Sequence, residues 1–89
     1  MVKINYAELA FDHIVEFSKD RTVFAAARHG DNHLRIFLIY ADSGNVYTRN
    51  GKIDSWEELT RGEAEIIRNK VSESRDRIPT FRINGSHAD

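Results

Sequence analysis

Apolar and polar residues follow different rhythms along this 89-residue chain, and each rhythm predicts an element. Tyr6, Leu9, Ala10, Phe11, Ile14, Val15 and Phe17 recur at spacings that cover most of a helix, leaving Glu8, Asp12, His13 and Glu16 on a narrow wet stripe. Asn5-Tyr6-Ala7-Glu8 has capping-box spacing, so a helix is expected from about Tyr6 to Ser18. Thr22 to Arg28 begins with β-branched and aromatic residues and runs into His29-Gly30-Asp31-Asn32, a strand followed by a tight connection. Its three alanines, Ala25, Ala26 and Ala27, favour helix and keep a continuation of the first helix open as the alternative. His33 to Tyr40 carries the plainest strand pattern, and it is apolar on both faces. So short a chain has few elements with which to cover both.

Asp42-Ser43-Gly44 supplies a turn with glycine at the left-handed position, and Val46 to Arg49 reads as the returning strand. Asn50-Gly51 marks another turn, and Asp54 or Ser55 could cap Trp56-Glu57-Glu58-Leu59. Thr60-Arg61-Gly62-Glu63 repeats the capping-box spacing, so the second helix is expected from Arg61 to about Asp76, with Ala64, Ile67, Val71 and Ile78 on its buried stripe. Pro79 ends it. Thr80 to Ile83 alternates weakly and reads as a short edge strand or a tail laid over the surface. The order α-β-β-β-α, with that short C-terminal strand added, predicts an α+β two-layer sandwich in which two helices lie on one face of a three-stranded antiparallel sheet. A single domain spans residues 1–83, and 84–89 form a flexible C-terminal tail.

This element order resembles that of double-stranded RNA-binding domains over roughly Asn5 to Ser74. That family opens its second helix with a basic Lys-Lys-x-Ala-Lys cluster on phosphates. Here the matching stretch is Arg61-Gly62-Glu63-Ala64-Glu65, which repels them, so the resemblance implies a fold and not an RNA contact.

Pairing across the turns divides the sheet residues into two faces. With Asp42 and Ser43 central, Tyr40 is expected opposite Val46, Ile39 opposite Tyr47 and Leu38 opposite Thr48. Leu34, Ile36, Leu38, Tyr40, Val46 and Thr48 then share the core face with Val23, Ala25 and Ala27. The other face collects Phe24, Ala26, Arg28, Arg35, Phe37, Ile39, Tyr47 and Arg49. Rings give area at little rotamer cost, and guanidinium groups stack on rings, pair with carboxylates or fork onto phosphates. Phe24, Arg28, Arg35, Phe37, Ile39, Tyr47 and Arg49 are therefore the candidate partner-binding residues.

Composition narrows the chemistry. The chain has no cysteine, which excludes a disulfide framework, a thiolate zinc site and a cysteine nucleophile. Its formal net charge is −1, so nucleic acid or an anionic membrane would have to be met by a local basic patch. No apolar run reaches the roughly 20 residues needed to cross a bilayer, and the start has no signal-peptide pattern, so a cytoplasmic protein is expected. His29, Asp31 and His33 could offer two imidazoles and a carboxylate to a cation, but Gly30 between them favours a turn and no fourth ligand lies nearby, so neither metal nor cofactor is expected. Arg28-His29-Gly30 resembles the opening of the histidine phosphatase family, over three residues only. Acidic residues gather towards the start of the second helix and basic ones, Arg68, Lys70, Arg75 and Arg77, towards its end, an order that suits the helix dipole.

The reading that follows is a small non-enzymatic module that occupies a macromolecular partner, with protein favoured, as phage- or plasmid-type inhibitors, modulators and immunity factors do. Single-stranded or duplex nucleic acid on the outer sheet face is the alternative, and a nuclease or hydrolase centred on His29 to His33 ranks below it. A homodimer through the same face is the further option for its cover.

Overall fold

A computed structural model describes residues 5–29, 33–50 and 55–86. Among them a 3-10 turn (Tyr6–Glu8) precedes six strands and one helix: β1 (Ala10–Phe17), β2 (Thr22–His29), β3 (His33–Tyr40), β4 (Val46–Asn50), β5 (Glu57–Glu58), α1 (Arg61–Ser74) and β6 (Thr80–Ile83). The strands form one mixed sheet in the order β5-β4-β3-β2-β1-β6, antiparallel throughout except that β6 runs parallel to β1. This overturns the three-stranded sheet under two helices, and with it the element order shared with double-stranded RNA-binding domains.

The expected first helix is the largest correction. Asn5 does cap a turn, its side chain accepting from the Ala7 N–H at 3.2 Å, but helical structure stops at Glu8 and the chain continues as β1. The pairing with β2 steps from Phe11↔Ala27 to His13↔Ala26, so Asp12 is an extra residue in a bulge. A bulge shifts the alternation by one, which is why Phe11 and Ile14, three apart, both face the core at 5% and 0% exposure. The helix-like spacing is that of a bulged strand. The alanines of β2 stay extended too: Ala25 and Ala27 are fully buried, and their small side chains let other groups approach the sheet closely.

The second helix forms where its signals place it. Thr60 and Glu63 complete a reciprocal capping box, the Glu63 N–H donating to Thr60 Oγ1 and the Thr60 N–H to Glu63 Oε1. Ala64, Ile67 and Val71 face the sheet, with Ile78 packed against the cluster. Fourteen residues give α1 a length of about 21 Å. Six strands give the sheet a width of about 24 Å. The helix leaves one sheet edge at β5 and delivers the chain to the other edge at β6, so its length matches the crossing.

Two four-residue connections close hairpins at the same end of the sheet. Phe17 pairs with Thr22 across residues 18–21, and the Tyr40 N–H donates to the Asn45 carbonyl across residues 41–44. The last residue of each loop is left-handed, Arg21 at φ 54° and Gly44 at φ 80°. Gly44 takes the position expected of it, whereas Arg21 holds a conformation that favours glycine. The first loop is tied down by Asp20, which accepts from the Thr22 hydroxyl at 2.7 Å and from the Ser86 hydroxyl at 2.9 Å. The Lys19 N–H donates to the Gly85 carbonyl, so residues just beyond β6 are bound to this turn.

Phe37→Ala, at the fully buried centre of β3, is expected to lower unfolding free energy by about 3–5 kcal/mol in denaturant titration. Leu34→Ala, on the opposite face of the same strand, should cost less than about 1 kcal/mol. Arg21→Gly should raise stability by up to about 1 kcal/mol in the same assay by relieving its left-handed backbone.

Candidate interaction face

All the described helix lies on one side of the sheet, and the cluster it buries comes from Phe11, Ile14, Val23, Ala25, Phe37 and Ile39 together with Val46. Phe37 pairs with Ala25 on one side and Thr48 on the other, and Ile39 with Val23 and Val46. Beta3 is therefore turned over relative to the expected register. Asp42 and Ser43 are central in a four-residue loop, so Tyr40 meets Asn45 and every later pair moves by one residue: Ile39 faces Val46 and Leu38 faces Tyr47. A shift of one exchanges the two faces of a strand.

The candidate residues consequently separate. Phe24, Arg28, Tyr47 and Arg49 share the face away from α1. Phe37 and Ile39, at 0% and 6% exposure, lie beneath the helix instead. Arg35 points to the helix side as well, its Nε donating to Thr48 Oγ1 at 3.2 Å, and that hydroxyl donates in turn to the Ile36 carbonyl at 3.0 Å. The chain satisfies Thr48, which is fully buried. Tyr6 sits beside this group, its ring edge-on to Phe37 with centroids 6.0 Å apart. Burial pushes the Tyr6 phenol above its ordinary range, and Arg35 acts in the opposite direction.

Pairing carries the open face across the sheet. One row runs Phe81, Val15, Phe24, Leu38, Tyr47 and Glu58, and the next runs Ile83, Phe17, Thr22 and Tyr40. A third contains His13, Ala26, Ile36 and Arg49. Towards β4 the rings roof one another. Trp56 meets Phe24 edge-on at 6.3 Å over β3, Tyr40 meets Tyr47 at 5.6 Å, and Arg49 stacks over the Trp56 ring at 5.3 Å. Under that roof Leu38 and Ile36 are 6% and 9% exposed with no described helix above them. Towards β6 the cover ends: Phe81 is 59% exposed and Ile83 46%; at the start of β3, opposite Arg28, Leu34 stands out at 42%. Exposed apolar groups thus adjoin a self-roofed aromatic patch on this face.

Leu34, Ile36, Leu38 and Tyr40, expected on the core face, lie on this one, and Trp56, Phe81 and Ile83 were not among the candidate partner-binding residues. The two-sided apolar pattern of β3 held no signal for its parity, and Phe81 and Ile83 joined the face only through parallel pairing with β1. Arg28 lies at the margin, its Nε 3.4 Å from the Asp12 carboxylate of the bulge. The segment Gly30-Asp31-Asn32, and with it the His29–His33 metal and phosphatase readings, falls outside the described residues. Among described residues no three His, Asp or Glu side chains gather to hold a metal, and no helix is long and apolar enough to cross a membrane. The chain matches no protein-family model, no curated protein and no solved structure.

Because the folded Tyr6 phenol has its pKa raised, its contribution to stability is complete below the ordinary phenol range and is lost as pH rises through the folded value. Denaturant titrations at rising alkaline pH should show this fall, and Tyr6→Phe should lose less stability than the parent over the same interval.

Proposed function

We propose that the protein is a non-enzymatic binding module that occupies a protein partner through the open face of its sheet. The supporting observation is the pair Phe81 and Ile83, more than two-fifths exposed, in rows continuous with the aromatic patch of Phe24, Tyr40, Tyr47 and Trp56. Burying such groups against a partner releases water from apolar surface, and aromatic anchors gain most when a surrounding rim excludes solvent. Arg28 and Arg49 supply polar margins rather than a phosphate track, since Arg28 faces the Asp12 carboxylate and Arg49 lies on a ring. A protein surface is favoured over nucleic acid for that reason. Action by occupancy, as of an inhibitor or modulator, follows from this reading.

The test compares the parent with a Phe81→Ser, Ile83→Ser double variant. Both residues are exposed on the edge strand β6, so the variant should keep cooperative melting within a few degrees of the parent. In pull-downs from host lysate it should lose the proteins retained by the parent. Equal retention by the two forms at matched stability would remove this face from partner binding. Sedimentation of both forms identifies a second copy of the chain as the occupant if the parent alone self-associates.

A further inference from the structure

The other side of the molecule carries a feature that the open sheet face does not use. Arg61, Arg68 and Arg75 are seven residues apart, two helical turns, so they form one row along α1 and its C-cap with about 10.5 Å between neighbours. The row looks towards the hairpin-turn end of the sheet. Arg68 Nη1 donates to the Gly44 carbonyl at 2.5 Å, and Arg75 Nη2 lies 2.8 Å from Glu16 Oε1. Three clefts of about 390, 190 and 300 Å³ follow the row. The first and second share Arg68, and the second and third share Arg75, so they join into one trough between helix and turns. Arg82 and the left-handed Arg21 close its far end.

Charge in the trough is unbalanced. Among the described residues, five guanidinium groups line it against the carboxylates of Glu16 and Glu58, with Asp42 at 3.3 Å from Arg21 just outside. Glu16 already serves both Arg75 and Arg82, the latter at 3.4 Å, and each guanidinium has five N–H donors, so donors remain for a further anion. Between the arginines the walls are aliphatic: Val23, Ile39, Ala41, Leu59 and Val71. Phe17 is the single ring among the described lining residues, which leaves little for a nucleobase to stack on.

We propose that this trough binds an extended acidic segment of a partner polypeptide bearing a carboxylate at every third residue. A polyproline-II segment returns to the same face every three residues over about 9.3 Å. That repeat is within reach of the 10.5 Å arginine spacing, because each long side chain can take up about 1 Å. Carboxylates then meet Arg61, Arg68 and Arg75 in turn, and the intervening side chains rest on the aliphatic walls. Phe17, Thr22 and Glu58 border both the trough and the open sheet face, but the proposal rests on the α1 arginines rather than on Phe81 and Ile83, and the two are tested by separate readouts.

The probe is a blocked nine-residue peptide of three Glu-Pro-Ala repeats, titrated into isotopically labelled protein while the arginine Nε–H resonances are followed. Shifts are expected at Arg61, Arg68 and Arg75, with at least tenfold weaker binding when glutamate is replaced by glutamine. Placing the three glutamates consecutively should weaken binding at least threefold at unchanged charge. Arg61→Gln with Arg68→Gln should also cost at least tenfold; if that variant melts early, the resonance map of the unaltered protein decides. Equal binding of the glutamine peptide, shifts confined to the open sheet face, or tighter binding of a nine-nucleotide oligothymidylate at the same arginines would each overturn the proposal.

Discussion

The burial of Phe37 under α1 is the contact on which the other features depend. Its ring meets Phe11 edge-on at 5.5 Å and Tyr6 at 6.0 Å, so it joins the 3-10 turn, β1 and the helix to the centre of the sheet. Ala25 beside it in β2 leaves room for the ring, and Thr48 in β4 can occupy the other side because its hydroxyl finds the Ile36 carbonyl. With Phe37 inward, Ile39 and Arg35 must also face the helix and Leu34, Ile36, Leu38 and Tyr40 must face away. Both surfaces of the molecule follow from that parity.

A single described helix serves six strands, and the asymmetry explains the distribution of exposed groups. A helix with its side chains is about 10–12 Å thick and can cover only a band of one face. On the helix side the uncovered margin at the hairpin turns is lined by long arginine stems, which lie along aliphatic walls while holding charge in water. On the other side no helix lies among the described residues, and aromatic residues cover Ile36 and Leu38 by stacking on one another. That roof ends before β6, where Phe81 and Ile83 are left exposed.

Two sequence patterns proved degenerate for physical reasons. Phe11 and Ile14 have helical spacing because the Asp12 bulge adds one residue to a strand's period of two, and such an insertion shows itself only against a partner strand. In β3, Arg35, Phe37 and Ile39 compete with Leu34, Ile36 and Leu38 for the core, and both sets are apolar enough to win it. The outcome was set by loop length. A four-residue connection after Tyr40 selects the pairing that a count one residue longer would reverse.

What could be read from the sequence was governed by interactions within a few residues. The Thr60–Glu63 capping box, the buried stripe Ala64, Ile67 and Val71, the strands β2 to β4, and the left-handed glycine at Gly44 each rest on local hydrogen bonding, periodicity or backbone sterics. Tertiary structure alone decided that Leu9 and Phe11 enter the core from a turn and a strand, that β6 joins β1 in parallel, and which four of the seven candidate residues face away from α1. Those outcomes depend on partners tens of residues away: the Ser18 N–H finds the Ile83 carbonyl across 65 positions of chain. A local pattern specifies how a segment can fold, but the face it presents is settled only when its neighbours are in place.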